Sequence, residues 1–179
     1  MEISNRLLFF KYALPCSKTL EERGSLSREK RLEMLELVKS GKEPQAGSEN
    51  YFKVAMAHLD FIAMQKKLNR ITDEVIREYF LFGHDEAVDE RYGLMGDFDP
   101  ESCRTYSGIV RSANGNIVQV YTPMGTREFN GDLVSGIKEG DIVSTHRGYV
   151  VEKIPKEIAS RMWESKRKYF PDMKKNIFE

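Results

Sequence analysis

Hydrophobic positions recur at helical spacing through the first hundred residues and at alternating spacing after Pro100. Over 27–39 the apolar residues Leu32, Leu35 and Val38 share one helical face. Ser27 stands where a side chain can accept from the first free N–H groups, and Gly41 follows as a stop. Residues 41–48 are polar and contain Pro44 and Gly47, which predicts a loop. From 50 to 68, Tyr51, Phe52, Val54, Ala55, Met56, Leu59, Phe61, Ile62 and Met64 cover most of a helix circumference, which predicts the central helix of its domain. Thr72 then caps a further helix, with Asp73 and Glu74 set favourably against its dipole and Val75, Ile76, Tyr79 and Phe80 as its apolar positions. Gly83 is the expected end, a short acidic helix is expected before Gly93, and 93–100 reads as a linker.

Beyond Pro100 the period becomes two. Tyr106, Gly108 and Val110 alternate with polar neighbours, Asn114-Gly115 signals a hairpin turn, and Ile117, Val118, Val120 and Tyr121 resume a strand. A turn at 123–125, a strand at 127–129, a loop at 136–140 and strands at 142–145 and 149–154 complete the series. Five short strands with a glycine near most corners suit a small closed barrel, which leaves little exposed edge. After Pro155, Ile158, Ala159, Met162 and Trp163 form the apolar stripe of a last helix over about 156–170. The expected fold class is α+β: a helical domain over 1–96, then a barrel with a C-terminal helix over 97–179.

Composition narrows this picture. The 28 basic and 28 acidic residues cancel, so whole-chain charge points to no particular partner. Their distribution is uneven. Residues 85–101 hold seven acids and one base, and 156–175 hold seven bases and three acids. Two solvated faces are the ordinary meaning of such a split, and an intramolecular docking or a partner surface is the other. Cys16 and Cys103 are too few for a disulfide scaffold and lie in no CxxC pattern, which suits a reducing compartment. The apolar stretch 51–64 is interrupted by Lys53, His58 and Asp60 and is too short to span a bilayer. No basic-then-apolar signal segment opens the chain. A cytoplasmic protein without membrane association is expected.

The barrel segment resembles the HypC/HupF chaperones of [NiFe]-hydrogenase maturation. Residues 103–108 run Cys-Arg-Thr-Tyr-Ser-Gly, which is similar to the family's opening order of Cys, two residues, an apolar residue, one residue and Gly. Residues 115–120, followed by Gly125-Thr126-Arg127, are similar to its central strands. Residues 138–154 are similar to its closing strands: Gly140-Asp141 before an apolar strand, His146-Arg147-Gly148-Tyr149, then Glu152-Lys153-Ile154. The likeness covers about 50 of the 179 residues. It implies an OB-like barrel with a C-terminal helix. It also implies an accessory function, in which the initial Cys helps to hold an Fe(CN)2CO fragment on its way to the hydrogenase large subunit, with a closing-segment His nearby. By position these are Cys103 and His146, which gives a metal site with iron as a transient guest and a protein as partner. Two departures matter. The family's Cys follows the initiator Met, whereas Ser102 and a hundred further residues precede Cys103 here. Ser107 also replaces the Pro that usually precedes the glycine.

Taken singly, Cys103 is what a half-buried strand end looks like, and His146 is what a backbone-bonded histidine looks like. As a pair, thiolate and imidazole are a donor set for iron or another soft metal. Shared ligation requires them at one end of the barrel, about 4–8 Å apart, with Cys103 partly accessible and its pKa lowered. His58 falls among Val54, Ala55, Phe61 and Ile62 and reads as a core histidine. His84-Asp85 resembles the His…His-Asp pattern of metal-dependent phosphohydrolases, but those sites need a further Asp on a later helix and this chain turns to strands instead. Cys16, after Leu14-Pro15, reads as packing. No phosphate cradle or catalytic motif is present, so no enzyme is expected. The second function class is a nucleic-acid or ribonucleoprotein adaptor. In it Arg104, Arg111, Arg127, Arg147 and the 156–175 segment supply charge and the strand aromatics stack on bases.

Overall fold

Ser27 caps as its position predicts: its side chain accepts from Lys30 N, and the helix runs Arg28–Lys39. The computed structural model that locates it describes residues 1–92 and 99–179. These divide into two compact units, Met1–Gly83 and His84–Glu179. The expected domain boundary at 96 and 97 and most of the expected linker fall outside the described residues.

The first unit is helical: α1 (Arg6–Ala13), α2 (Ser17–Glu22), α3 (Arg28–Lys39), α4 (Lys53–Gln65) and α5 (Asp73–Glu78), followed by a π turn over Tyr79–Gly83. Its centre is α1 rather than α4. Phe9, Phe10 and Tyr12 are fully buried, and Phe9 and Phe10 meet Phe52 edge-on while Tyr12 stacks on Phe80. Only Ala55, Leu59 and Ala63 of α4 are buried, and Phe61 and Met64 are 58% and 64% exposed. Apolar residues all round a helix describe its own surface only; which side is covered depends on neighbours elsewhere in the chain. Leu32 is likewise exposed, and α3 buries Met34, Leu35 and Val38.

The second unit contains α6 (His84–Tyr92), the short helix α7 (Pro100–Cys103), and strands β1 (Thr105–Asn114), β2 (Ile117–Thr122), β3 (Gly125–Asn130), β4 (Ile142–His146) and β5 (Tyr149–Lys153), then α8 (Lys156–Ser165). The strands close into a barrel in the order β1-β2-β3-β5-β4, in which β1 pairs with both β2 and β4. β3 meets β5 in parallel at Asn130 and Tyr149. This is the expected OB-like barrel with a C-terminal helix. Val110, Val118, Val120, Phe129, Val143 and Val150 fill it, one alternating face of each strand. The first hairpin turns on Gly115 and Asn116, one residue later than the dipeptide signal. Gly115 has φ +62 at the first loop position, as a II′ turn requires. Gly108 sits where a Cβ would press on Val120 Cγ1 at 2.6 Å and closer still on the Tyr121 carbonyl oxygen, so only glycine lets β1 and β2 approach there.

α8 packs on β1 and β4 through the predicted stripe: Ala159, Met162 and Trp163 are fully buried. Trp163 Nε1 donates to the Lys174 carbonyl at 3.1 Å. Ser107, at the position of the resembled family's Pro, donates to the Ala159 carbonyl at 2.8 Å and so ties β1 to α8. Among the described residues no helix is long and apolar enough to cross a membrane.

Candidate metal centre

Three elements of the second unit end at one place. α6 begins there with His84, α7 ends there with Cys103, and β4 ends there with His146. The β4 end is fixed by pairing on both sides: His146 stands opposite Thr105 on β1 and opposite Tyr149 on β5. The chain then reverses through Arg147 (φ 43) and Gly148 (φ 82), a two-residue turn of the I′ kind. Cys103 lies two residues before Thr105, so the register that places His146 also places the thiol.

Cys103 Sγ and His146 Nε2 are 3.9 Å apart. The pair thus sits together, at the near edge of the expected spacing. Expected accessibility is contradicted: Cys103 is 5% exposed and His146 fully buried, because α7 turns the thiol inward instead of leaving it at a strand end. Cys16 is half-buried, and neither it nor Cys103 is in a disulfide.

Sequence reasoning missed His84. Its ligand atom and those of Cys103 and His146 lie within 4.8 Å of one another, and its ring meets that of His146 edge-on with centroids 4.7 Å apart. The signal was the His-Asp dipeptide itself, but its partners come from the barrel and not from a second helix of a bundle. His58, the other half of the phosphohydrolase-like pattern, is half-buried. Its Nδ1 lies 2.9 Å from the Val54 carbonyl and its ring stacks on Tyr79.

Behind His84 lies a buried polar network. Asp85, 4% exposed, has Oδ1 3.9 Å from His84 Nδ1 and accepts from the Thr105 backbone N–H at 3.4 Å. Its Oδ2 accepts from Lys166 Nζ at 2.5 Å, and Lys166 is itself 1% exposed. Arg104 donates to Asp89 at 2.5 Å and to the Asp85 carbonyl at 3.4 Å, with its guanidinium over the Tyr169 ring at 3.7 Å. Burial pushes the Asp85 carboxyl up, but His84 and the Lys166 ammonium more than offset this and hold it down at about 2. Burial pushes the His84 imidazole down, yet Asp85 and the Cys103 thiol reverse this and raise it. The acidic and basic segments therefore meet within the unit, at Lys166 with Asp85 in the interior and at Lys168 with Glu86 (2.9 Å) on the surface, while most of their other charges stay exposed.

Some of the groups that a single-strand binder would display are engaged, while Arg111 and Arg127 are exposed. Tyr106 and Phe129 are 4% and 8% exposed, and Arg104 and Lys166 are buried in ion pairs. A cleft of about 350 Å³ opens beside the candidate centre, between Ser102, Arg104, Arg127 and Arg147. In sequence Ser102 and Arg104 flank Cys103, and Arg147 follows His146.

Chemically, one thiol and two imidazoles turned inward form a soft-to-borderline donor set that suits zinc, iron, cobalt or copper and not magnesium or calcium. Set beside known proteins, the chain matches no family model, no curated protein and no solved structure, and its function is to be argued from this geometry.

Proposed function

We propose that this protein is a non-catalytic accessory protein whose barrel unit binds a transition metal, or a metal-bearing fragment, through Cys103 and His146. The observation that carries the reading is the approach of the two side chains to 3.9 Å at one buried end of the barrel. A thiol and an imidazole so close, shielded from water, form a ready pair of donors. The resemblance to hydrogenase-maturation chaperones supports the same two residues and suggests an iron fragment as cargo and a protein as recipient. Burial adds a condition. With Cys103 5% exposed, cargo passes to a partner only after the end of the barrel opens, and the cleft, whose lining carries Arg104, Arg127 and Arg147 beside Glu101 and Glu128, is the natural place for that partner to engage.

The test is metal content and metal uptake of the full chain, stripped with chelator and reloaded with Fe2+, Co2+ or Zn2+ in turn. One ion per chain is expected in the wild type, with loss of uptake in Cys103→Ala and His146→Ala while far-UV circular dichroism is retained. Failure of the wild type to take up any of the three ions would overturn the reading. Nucleic acid co-purifying with a metal-free protein would favour the adaptor instead.

A further inference from the structure

We propose that His84 is a third ligand of this centre, and that the ion it takes is a resident borderline divalent cation of the zinc class pinning α6 to the barrel. The inference rests on the part of the reading above in which Cys103 and His146 bind a metal, and takes the ion as one that stays instead of one that is passed on.

Distance comes first. The ligand atoms of His84, Cys103 and His146 all lie within 4.8 Å of one another. Bonds of about 2.0–2.3 Å at tetrahedral angles place such atoms about 3.4–3.6 Å apart, so closure asks for a contraction of about an ångström. Burial comes second. The three residues are 8%, 5% and 0% exposed, and two imidazoles and a thiol crowded away from water form a pocket with donors on several sides. One sulfur with two nitrogens is the composition that borderline cations select over hard ones.

Support behind the ligand is the third observation. An imidazole that binds a metal commonly has a carboxylate or carbonyl behind it that fixes its orientation. Asp85 occupies that place, 3.9 Å from His84 Nδ1, and is itself held by Lys166 at 2.5 Å and by the Thr105 backbone N–H. Asp85 is thus a positioning residue that couples α6 to the first residue of β1. The three ligands come from α6, α7 and β4, so an ion bound to all three cross-links elements that are otherwise joined here by side-chain contacts. Such cross-linking is the work of a structural ion, and the burial of all three ligands suits an ion that stays in place.

Co2+ is the probe, added to metal-free full-length protein and followed by the visible ligand-field bands and the near-ultraviolet thiolate charge-transfer band, with Zn2+ as competitor. Expected are one Co2+ per chain, displacement by Zn2+, loss of the charge-transfer band in Cys103→Ser, and at least tenfold weaker binding in His84→Gln. Hydrogen exchange of the α6 amides should slow on Zn2+ addition in the wild type and not in His84→Gln. Should that variant misfold, the wild type decides by itself: the imidazole 15N resonances of His84 must shift on Zn2+ binding. A wild type that binds neither ion sinks both readings. Binding that needs Cys103 but leaves His84→Gln affinity, or the His84 resonances, unchanged overturns only this one.

Discussion

Replacing Lys166 by Met keeps the length of the side chain and removes its ammonium, and the consequence can be worked from the geometry. Lys166 is 1% exposed and its Nζ lies 2.5 Å from Asp85 Oδ2, while Asp85 is 4% exposed. Removing one member of a buried pair strands the other charge, which typically costs about 3–5 kcal/mol. Two groups soften the loss here: Arg104 Nη1 at 4.0 Å and the Thr105 backbone N–H at 3.4 Å both still face the carboxylate. About 3 kcal/mol is therefore the expectation for Lys166→Met. The double variant Lys166→Met/Asp85→Leu removes both members of the pair, so no carboxylate is stranded, and should recover at least about 1.5 kcal/mol of that, a coupling of the size neighbouring residues show. Trp163, the single tryptophan, lies three residues before Lys166 in the same unit and is fully buried, so its fluorescence in urea reports this unit. With a slope of about 2 kcal/mol/M, the midpoint of Lys166→Met should fall by about 1.5 M. A loss below about 1 kcal/mol, the level of an exposed ion pair, would refute the reasoning. The same network fixes a pH dependence. The Asp85 carboxyl lies at about 2 against an ordinary 3.8, so its contribution is fully present above about pH 4 and is lost as pH falls through 2.

Other expectations follow from single contacts. Trp163→Ala should cost about 3–5 kcal/mol, because the indole is fully buried and its Nε1 is bonded; native emission typical of exposed tryptophan would contradict this. Gly108→Ala should destabilise by about 1–3 kcal/mol or more, since the Tyr121 carbonyl that it meets is backbone and cannot rotate away; a near-neutral melting temperature would show that β1 and β2 can separate there. Native Cys103 should react with a thiol reagent much more slowly than the same residue in urea, as its 5% exposure dictates; equal rates would mean that the end of the barrel is open in solution.

The barrel was legible because its information is local. Alternation, turn residues and the stripe on the last helix each follow from a handful of neighbours, and Val110, Val118, Val120 and Trp163 end where their spacing predicts. The role of α4 was not legible, because a helix that is apolar on all sides does not say which side has company; Phe61 and Met64 face outward. The candidate centre falls between these cases. Cys103 and His146 were visible through the order of residues along the barrel. His84 was visible only as a His-Asp pair, since its neighbours depend on how α6 lies against strands whose sequence comes much later. Cys103's burial was hidden for a related reason: α7 is a single turn with no periodic signal of its own.

The pairing of β1 with β4 has a kinetic consequence. Thr105 and His146 come together only when a strand near the start of the barrel finds one near its end, and such distant contacts form late because their loop entropy is lost before they repay it. On that argument the ligand set is expected to assemble with the closure of β1 on β4. If closure of β1 on β4 follows the rate-limiting step, an ion bound there acts only on the finished barrel. In a chevron plot, Zn2+ should leave the refolding limb in place and lower the unfolding limb, so that the metal governs how long the barrel lasts and not how quickly it forms.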